Sequence, residues 1–431
     1  MNEMISSGPL GWLFPTIAVI TWIAVPTYAA IARGRFYAIF SAVLMTFSLP
    51  AALILHARLR LLIPEPLLTG FDLAFAYSMA AAGIQFAHLV RARMRSSVFR
   101  WLISVPGQTF IAAGMLGGPW LLLLLPLRLL FGSLDWSTAL VGLTFVEGLP
   151  LVVSIASILT SVTTRPEIVR FGLSDRGPDA MQRVPVERFR GKEPADLALR
   201  PLRLVQITDT HLGPWQSVDR LKRKIADLAA REPDLVALTG DFLTMESMGS
   251  PGCLDEALAP LAPIADRCVA IFGNHDHEAP DQVRAALARH NIPLLIDEEL
   301  CFETPVGLVQ VVGADFVGRD HKEHLGGLLE QHPRRADHLR LLLLHDPVGF
   351  HVLPEDDVDL VLSGHTHGGQ VGLVSLGLDW TALSRTRWPD HGLFARGASR
   401  LYVHRGTGFY GFPLRVGVPA EHSVLEISLS R

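Results

Sequence analysis

The 431-residue sequence predicts an α-helical transmembrane bundle followed by an α/β domain. Three observations carry this prediction. Residues 1 to about 162 hold long apolar segments, whereas the remainder has ordinary globular composition. From about residue 181 onward, short apolar runs rich in β-formers alternate with stretches of helical periodicity, the pattern of an α/β fold. Five of those runs stop abruptly at Asp, Asn or His, residue types that ligate metals.

Composition sets the first limits. Hydrophobic residues make up 49% and charged residues 19%, with mean hydropathy +0.32, too apolar for an ordinary soluble enzyme. A net charge of −4 gives no sign of a nucleic-acid partner. The three cysteines, Cys253, Cys268 and Cys301, form no metal-type spacing and no disulfide framework, which favours a reducing compartment.

A bilayer core takes about 20 mostly apolar residues per helix. Five stretches qualify: Leu10 to Ala32, Phe36 to Leu55, Leu67 to Val90, Thr109 to Phe131 and Thr138 to Ser161. The fourth contains Gly117-Gly118-Pro119 and Pro126, so four helices is the alternative count. The first is too long, and too soon followed by another, for a cleaved signal peptide. Arginines collect after the first, third and fifth stretches, including Arg165, Arg170, Arg176 and Lys192 after the last. By the positive-inside rule, the C-terminal domain is expected in the cytoplasm of a bacterial inner membrane protein. Asp72, His88 and Gln108 lie near expected helix ends, and Glu147 is a deep carboxylate with no obvious partner. An anchor or lipid-facing platform is the reading preferred over a transporter.

Residues 163–180 read as a linker and 181–431 as the second domain. Alternation of Val184, Val186 and Phe189 suggests an opening strand. Helical spacing runs from Ser217 to Arg231, from Leu254 to Ala265, and onward from Pro280. A hairpin is expected from Leu300 to Val312, turning at Thr304-Pro305-Val306-Gly307. Strands follow at Leu339 to Leu344, Asp359 to Leu362, Arg400 to His404 and Ser423 to Leu429.

The five strand tips are Asp209-Thr210-His211, Gly240-Asp241, Gly273-Asn274-His275-Asp276, His345 and Gly364-His365-Thr366-His367. In order and spacing this set resembles the calcineurin-like metallophosphoesterases. The run Gly364 to Gln370 and the later Arg405-Gly406-Thr407-Gly408 are most similar to the family's bacterial membrane-attached branch. The resemblance implies a four-layer α/β/β/α sandwich and two divalent ions, Mn²⁺ first, with Fe²⁺ or Zn²⁺ as alternatives. It assigns Asp209, His211, Asp241 and His367 to one ion, and Asp241, Asn274, His345 and His365 to the other. One carboxylate can bridge two cations about 3.5–4 Å apart, and a water shared between them would deprotonate near neutral pH and attack phosphorus. The resemblance makes His275 the group that protonates the leaving oxygen, with Asp276 available to orient its imidazole. Arg396, Arg405 and Arg415 could meet substrate phosphate, and His404 is open.

The implied function is a membrane-anchored phosphoesterase that hydrolyses a phosphodiester or pyrophosphate bond, with a lipid-linked molecule and the bilayer as partners. The alternatives are a pyrophosphohydrolase of the UDP-2,3-diacylglucosamine type, as in lipid A synthesis, and a sensor or transporter with an accessory phosphoesterase domain.

Overall fold

A computed structural model describes residues 10–164, 166–173, 176–191, 199–409, 411 and 414–429. Arg165 and Lys192, counted above for orientation, lie outside them. The chain divides into two compact units, Met1–Leu159 with Gly411–Leu414, and Thr160–Tyr410 with Arg415–Arg431.

The first unit is helical. Among the described residues, five helices are long and apolar enough to cross a membrane: α1 (Leu13–Ala32), α2 (Arg35–Arg60), α3 (Glu65–Leu89), α4 (Ser97–Ser133) and α5 (Ser137–Val162). Helix α4 runs on through Pro119 and Pro126, which decides for five spans over four. Helix α1 packs on α2 and α3, and α4 packs on α2 and α3. Small residues permit this: a Cβ on Gly114 of α4 would lie 2.5 Å from the Ser48 carbonyl oxygen of α2. Outward faces carry large exposed apolar side chains such as Ile20, Ile23, Phe36, Phe47, Leu122 and Leu129, a surface suited to lipid.

Asp72 lies near the start of α3, as expected, and is 1% exposed. It accepts from Arg60 Nε at 2.9 Å and lies 2.9 Å from His56 Nε2. Glu147 does have partners, Arg58 at 2.7 Å and Arg128 at 2.9 Å. An uncompensated carboxylate in an apolar bundle is costly, and arginines from neighbouring helices remove that cost. Sequence spacing cannot reveal such pairs, because the partners sit on different helices.

Among its described residues the second unit contains thirteen strands: β1 (Glu167–Gly172), β2 (Gln182–Val184), β3 (Glu187–Arg190), β4 (Leu202–Ile207), β5 (Leu235–Leu238), β6 (Cys268–Ala270), β7 (Glu298–Thr304), β8 (Gly307–Gly313), β9 (His338–Leu343), β10 (Leu360–Ser363), β11 (Gly392–Arg396), β12 (Ser399–Val403) and β13 (Ser423–Ser428). They form a six-stranded sheet, β3-β1-β13-β4-β5-β6, and a seven-stranded sheet, β2-β11-β12-β10-β9-β8-β7. Alternate residues of each central strand face opposite ways. Leu202, Leu204, Leu235, Ala237, Leu341, Leu343, Leu360 and Leu362 meet between the sheets. Val205, Ile207, Val236 and Leu238 turn outward onto Leu221, Ile225 and Leu228 of the helix Val218–Ala229. Leu342, Leu344 and Val361 turn onto Leu325, Leu328 and Leu329 of the helix His321–Gln331. Central strands such as β5 and β10 are therefore covered on both faces, which explains their short apolar runs. The result is the four-layer α/β/β/α arrangement.

The expected linker, 163–180, is not one throughout. It contains β1, which pairs with β13 in parallel and with β3 antiparallel inside the six-stranded sheet. Only residues 163–166 separate α5 from β1. The expected single strand around Val184 to Phe189 is two strands, β2 and β3, one in each sheet.

Candidate metal centre

Strands β4, β5 and β6 are mutually parallel, as are β8, β9, β10 and β12. Their C-terminal tips therefore gather along one edge of each sheet, where α/β folds place ligands. The chain must turn sharply there. Asp209, His211, Asp241, His365 and His367 all adopt positive φ, between 43° and 69°. Left-handed backbone costs energy for residues with a Cβ, and such strain collects at functional sites. Glycines make room: a Cβ on Gly273 would collide with the Asp241 carboxylate, and one on Gly364 with that of Asp209.

Two groups of ligand-type side chains result. Asp209, His211 and His367 form one, and Asp241, His345 and His365 the other, each with ligand atoms within 4.8 Å of one another. In the first, His367 Nε2 lies 3.1 Å from His211 Nε2 and 3.4 Å from Asp209 Oδ1. In the second, His345 Nε2 is 3.2 Å from Asp241 Oδ2. Asn274 stands beside this group, its Oδ1 2.9 Å from His365 Nδ1. The same Asp241 Oδ2 is 3.6 Å from His211 Nε2, so one carboxylate oxygen reaches an imidazole from each group.

The hydrogen bonds leave these rings set up as ligands. His345 Nδ1 donates to the Thr239 carbonyl at 2.7 Å and His211 Nδ1 to that of Leu243 at 3.3 Å. Each bond places a proton on Nδ1 and turns Nε2 into the site. His345 Nε2 is buried without a hydrogen-bond partner. Three inward-facing Nε2 atoms and two carboxylates fit a pair of divalent ions of intermediate hardness.

Electrostatics agree. Burial opposes ionisation of Asp241, yet His345, His211 and His275 hold it well below the usual carboxylate range. Burial also works against a charge on His345, but Asp241 and Asp209 lift it to about 10. Asp209 is pushed up to about 6 by burial and by the charge of Asp241. The carboxylates thus need cationic company, and bound divalent ions would supply it.

His275 lies against the first group, its ring centroid 5.5 Å from that of His211. Its backbone N–H donates to Asp241 Oδ1 at 2.9 Å. Asp276 does not play the part expected of it. Its carboxylate accepts from the backbone N–H groups of Gly273, Asp241 and Phe242 at 2.7–2.9 Å. That ties the second and third strand tips together. The carboxylate at His275 Nδ1 is Glu278, at 2.8 Å. Glu278 was missed in the sequence, although its i,i+3 spacing on a single turn was a readable signal. Phe316, also missed, sets its ring about 6 Å from those of His345 and His365.

The three arginines considered for substrate phosphate are engaged elsewhere. Arg405 is buried and donates to Glu421 and Glu167. Arg415 is buried and donates to the carbonyls of His367, Arg405 and Gly408, with His367 Nδ1 3.2 Å away. Arg415 thereby holds the His367 loop in place. Arg396 donates to the carbonyls of His351 and Leu353. His404 is buried outside both groups, its Nδ1 accepting from Gly406 N–H at 3.0 Å.

Fold and site together define a metal-dependent hydrolase. The Calcineurin-like phosphoesterase family matches residues 202–369, so this chain carries a calcineurin-like phosphoesterase domain behind its apolar helices. The chain is 28% identical to Phosphodiesterase YaeI of Escherichia coli over 53% of its own length and 82% of that protein's. It is 29% identical to an uncharacterized metallophosphoesterase of Campylobacter jejuni, over 53% of this chain and 59% of that one. It is 26% identical to the Transmembrane protein with metallophosphoesterase domain of Bos taurus, over 52% of each. The chain thus spans little more than half the length of the last two.

Proposed function

We propose that this chain is a membrane-anchored, binuclear phosphoesterase that hydrolyses a phosphodiester or pyrophosphate bond of a lipid-linked substrate from the cytoplasmic side. The single observation behind the two-ion reading is Asp241 Oδ2, within 3.6 Å of His211 Nε2 and 3.2 Å of His345 Nε2. Asp209, His211 and His367 would hold one ion, Asn274, His345 and His365 the other, and Asp241 both. Mn²⁺ is the ion we favour, since the donors mix carboxylate, amide and imidazole. Such ions polarise a phosphoryl group and activate water when bound.

The chain's own residues supply the rest. Glu278 holds a proton on His275 Nδ1, which fixes the ring's orientation. A second proton, on Nε2, can then pass to the leaving oxygen. Asp276 keeps the tips carrying Asp241 and Asn274 in register through its three backbone bonds. Thr208 Oγ1 donates to Asp209 Oδ2 at 2.9 Å, and the His365 N–H donates to Asp209 Oδ1 at 3.0 Å. These bonds hold that ligand against rotation. The Escherichia coli relative, named a phosphodiesterase, supports a diester substrate.

The test uses the full chain in lipid nanodiscs with Mn²⁺. It is offered a soluble chromogenic monoester, a chromogenic diester, a lipid phosphodiester and a lipid pyrophosphate. Hydrolysis of the diester or pyrophosphate classes well above the monoester is expected, lost with chelator and restored by Mn²⁺. Monoester hydrolysis alone would overturn the proposal.

A further inference from the structure

The α/β unit hides its large apolar side chains with few exceptions. Among its described residues, seven are prominently exposed: Leu199, Leu308, Val352, Leu373, Leu376, Leu378 and Trp380. Four of the seven fall within the eight residues 373–380, at 37%, 74%, 53% and 49% exposure respectively. Scattered apolar surface needs no explanation, but a run of three leucines and a tryptophan on one loop does.

This loop is not a loose end. Leu373 N–H donates to the Trp380 carbonyl at 2.9 Å and Ser375 N–H to that of Gly417 at 2.8 Å. Ala382 N–H donates to the Val371 carbonyl at 2.8 Å, and Gly372 bridges Thr381. At its tip the turn Val374–Leu376 ends on Gly377 in left-handed geometry. The backbone is thus fixed in a form that displays these side chains rather than burying them. Its root is fixed too. Thr381 Oγ1 donates to the Asp390 carboxylate, and Thr366 Oγ1, between the two ligand histidines, donates to the Asp390 carbonyl at 2.6 Å.

We infer that residues 373–380 are a bilayer-docking loop that inserts its leucines and Trp380 among lipid headgroups. Three observations select a lipid surface as the occupant. The same chain carries five candidate spans, the last ending at Val162, with β1 beginning at Glu167. The pairing of Trp with aliphatic side chains suits a headgroup boundary, where an amphipathic ring is at home. Exposed Arg385 and Arg387 follow immediately, the latter with its guanidinium 4.9 Å from the Trp388 ring. They outnumber the one acid, Asp379, and complement anionic headgroups. The inference extends the proposed function: a loop rooted on the His365–His367 turn would hold the metal centre at the surface where a lipid-linked phosphate lies.

The experiment labels the full chain in nanodiscs. Cys301 is the exposed cysteine, with Cys253 and Cys268 buried, so Cys301→Ser provides the background. An environment-sensitive fluorophore is placed at Leu376→Cys, and for comparison at Leu308→Cys. Lipids carrying a spin label should quench the probe at 376 at least about twofold while leaving 308 unchanged, and more so with phosphatidylglycerol than with phosphatidylcholine alone. Equal response at the two positions would overturn the inference. So would a probe at 376 shielded from aqueous iodide yet insensitive to spin-labelled lipid, which would mean that protein covers the loop. The double variant Leu376→Asp, Leu378→Asp should lose about tenfold in rate on a lipid phosphodiester in vesicles while its rate on a soluble diester stays within about twofold. Equal rates on vesicles would count against docking. If wild type cleaves no phosphoester, the phosphoesterase reading fails, and lipid quenching still decides the loop's role.

Discussion

Lys224 is a cation the fold has buried, its Nζ donating to the Thr407 carbonyl at 2.7 Å. Burial, with Arg220 and Arg415 adding repulsion, lowers it to about 7 from the ordinary 10.5. Below pH 7 it is charged in both folded and unfolded chains, and the penalty for burying it stands in full. Between pH 7 and 10.5 the unfolded chain binds more protons, so stability should rise with pH across that window, by an amount on the order of a few kcal/mol. Thermal unfolding of wild type and Lys224→Met from pH 6 to pH 10 checks this. The wild type should gain on the variant as pH rises, and parallel profiles would refute it. At the metal centre, Asp241→Asn should empty both ion positions, whereas His211→Ala should empty mainly one. Elemental analysis showing two ions kept in Asp241→Asn would remove the shared-ligand assignment. His275→Ala should keep metal content and lower turnover by about 10²–10⁴-fold on poor leaving groups. An equal loss on good ones would argue against proton donation. The ligand types were legible because each sits where an apolar run stops. The role of Asp276 was not, because adjacent residues on a tight turn point different ways, and here Glu278 faces the imidazole.

The same contrast holds for whole elements. Strands β5, β9 and β10 were readable from the apolar runs Leu235–Leu238, Leu341–Leu344 and Leu360–Leu362, a consequence of sheets covered on both faces. Strand β1 was not, because Arg170 interrupts its run and its partner β13 lies more than 250 residues away in the chain. Arg170 belongs there because it pairs with Glu426 at 2.7 Å on that neighbour. Strands β2 and β3 read as one strand, but Pro185 falls between them, and the chain changes sheets there. This matters for cutting the unit free. A chain starting at 181 would lose Val169 and Phe171 from between the sheets, each worth about 1.5–3 kcal/mol. It would also lose Glu167, which holds Arg188, Arg190 and Arg405. Against a total stability of about 5–15 kcal/mol, that is a large share. A fragment beginning at 160 should therefore unfold cooperatively, while one beginning at 181 should melt without a sharp transition and bind a hydrophobic dye. Matching melting curves for the two would show that β1 is dispensable.

At the scale of the whole molecule, the proposed lipid-linked substrate makes orientation decide which leaflet would supply it. The connections between helices are now defined. Residues 61–64, between α2 and α3, and 134–136, between α4 and α5, contain no Lys or Arg. On the other side, Arg33 follows α1, and Arg91, Arg93 and Arg95 follow α3. Arg58, Arg60 and Arg128, near the ends of the second and fourth expected stretches, lie within helices and are paired with Glu147 and Asp72. They are structural cations, not loop charges, so the positive-inside rule points more firmly to a cytoplasmic α/β unit. Green fluorescent protein fused at the C-terminus should fluoresce, and alkaline phosphatase fused at the same place should be inactive. Alkaline phosphatase fused after Asp135 should be active, because in the proposed orientation that connection would lie on the opposite side from the α/β unit. An active C-terminal phosphatase would put the metal centre outside. The basic residues Arg385 and Arg387 would then face the outer leaflet, and the lipid substrate would have to be sought there.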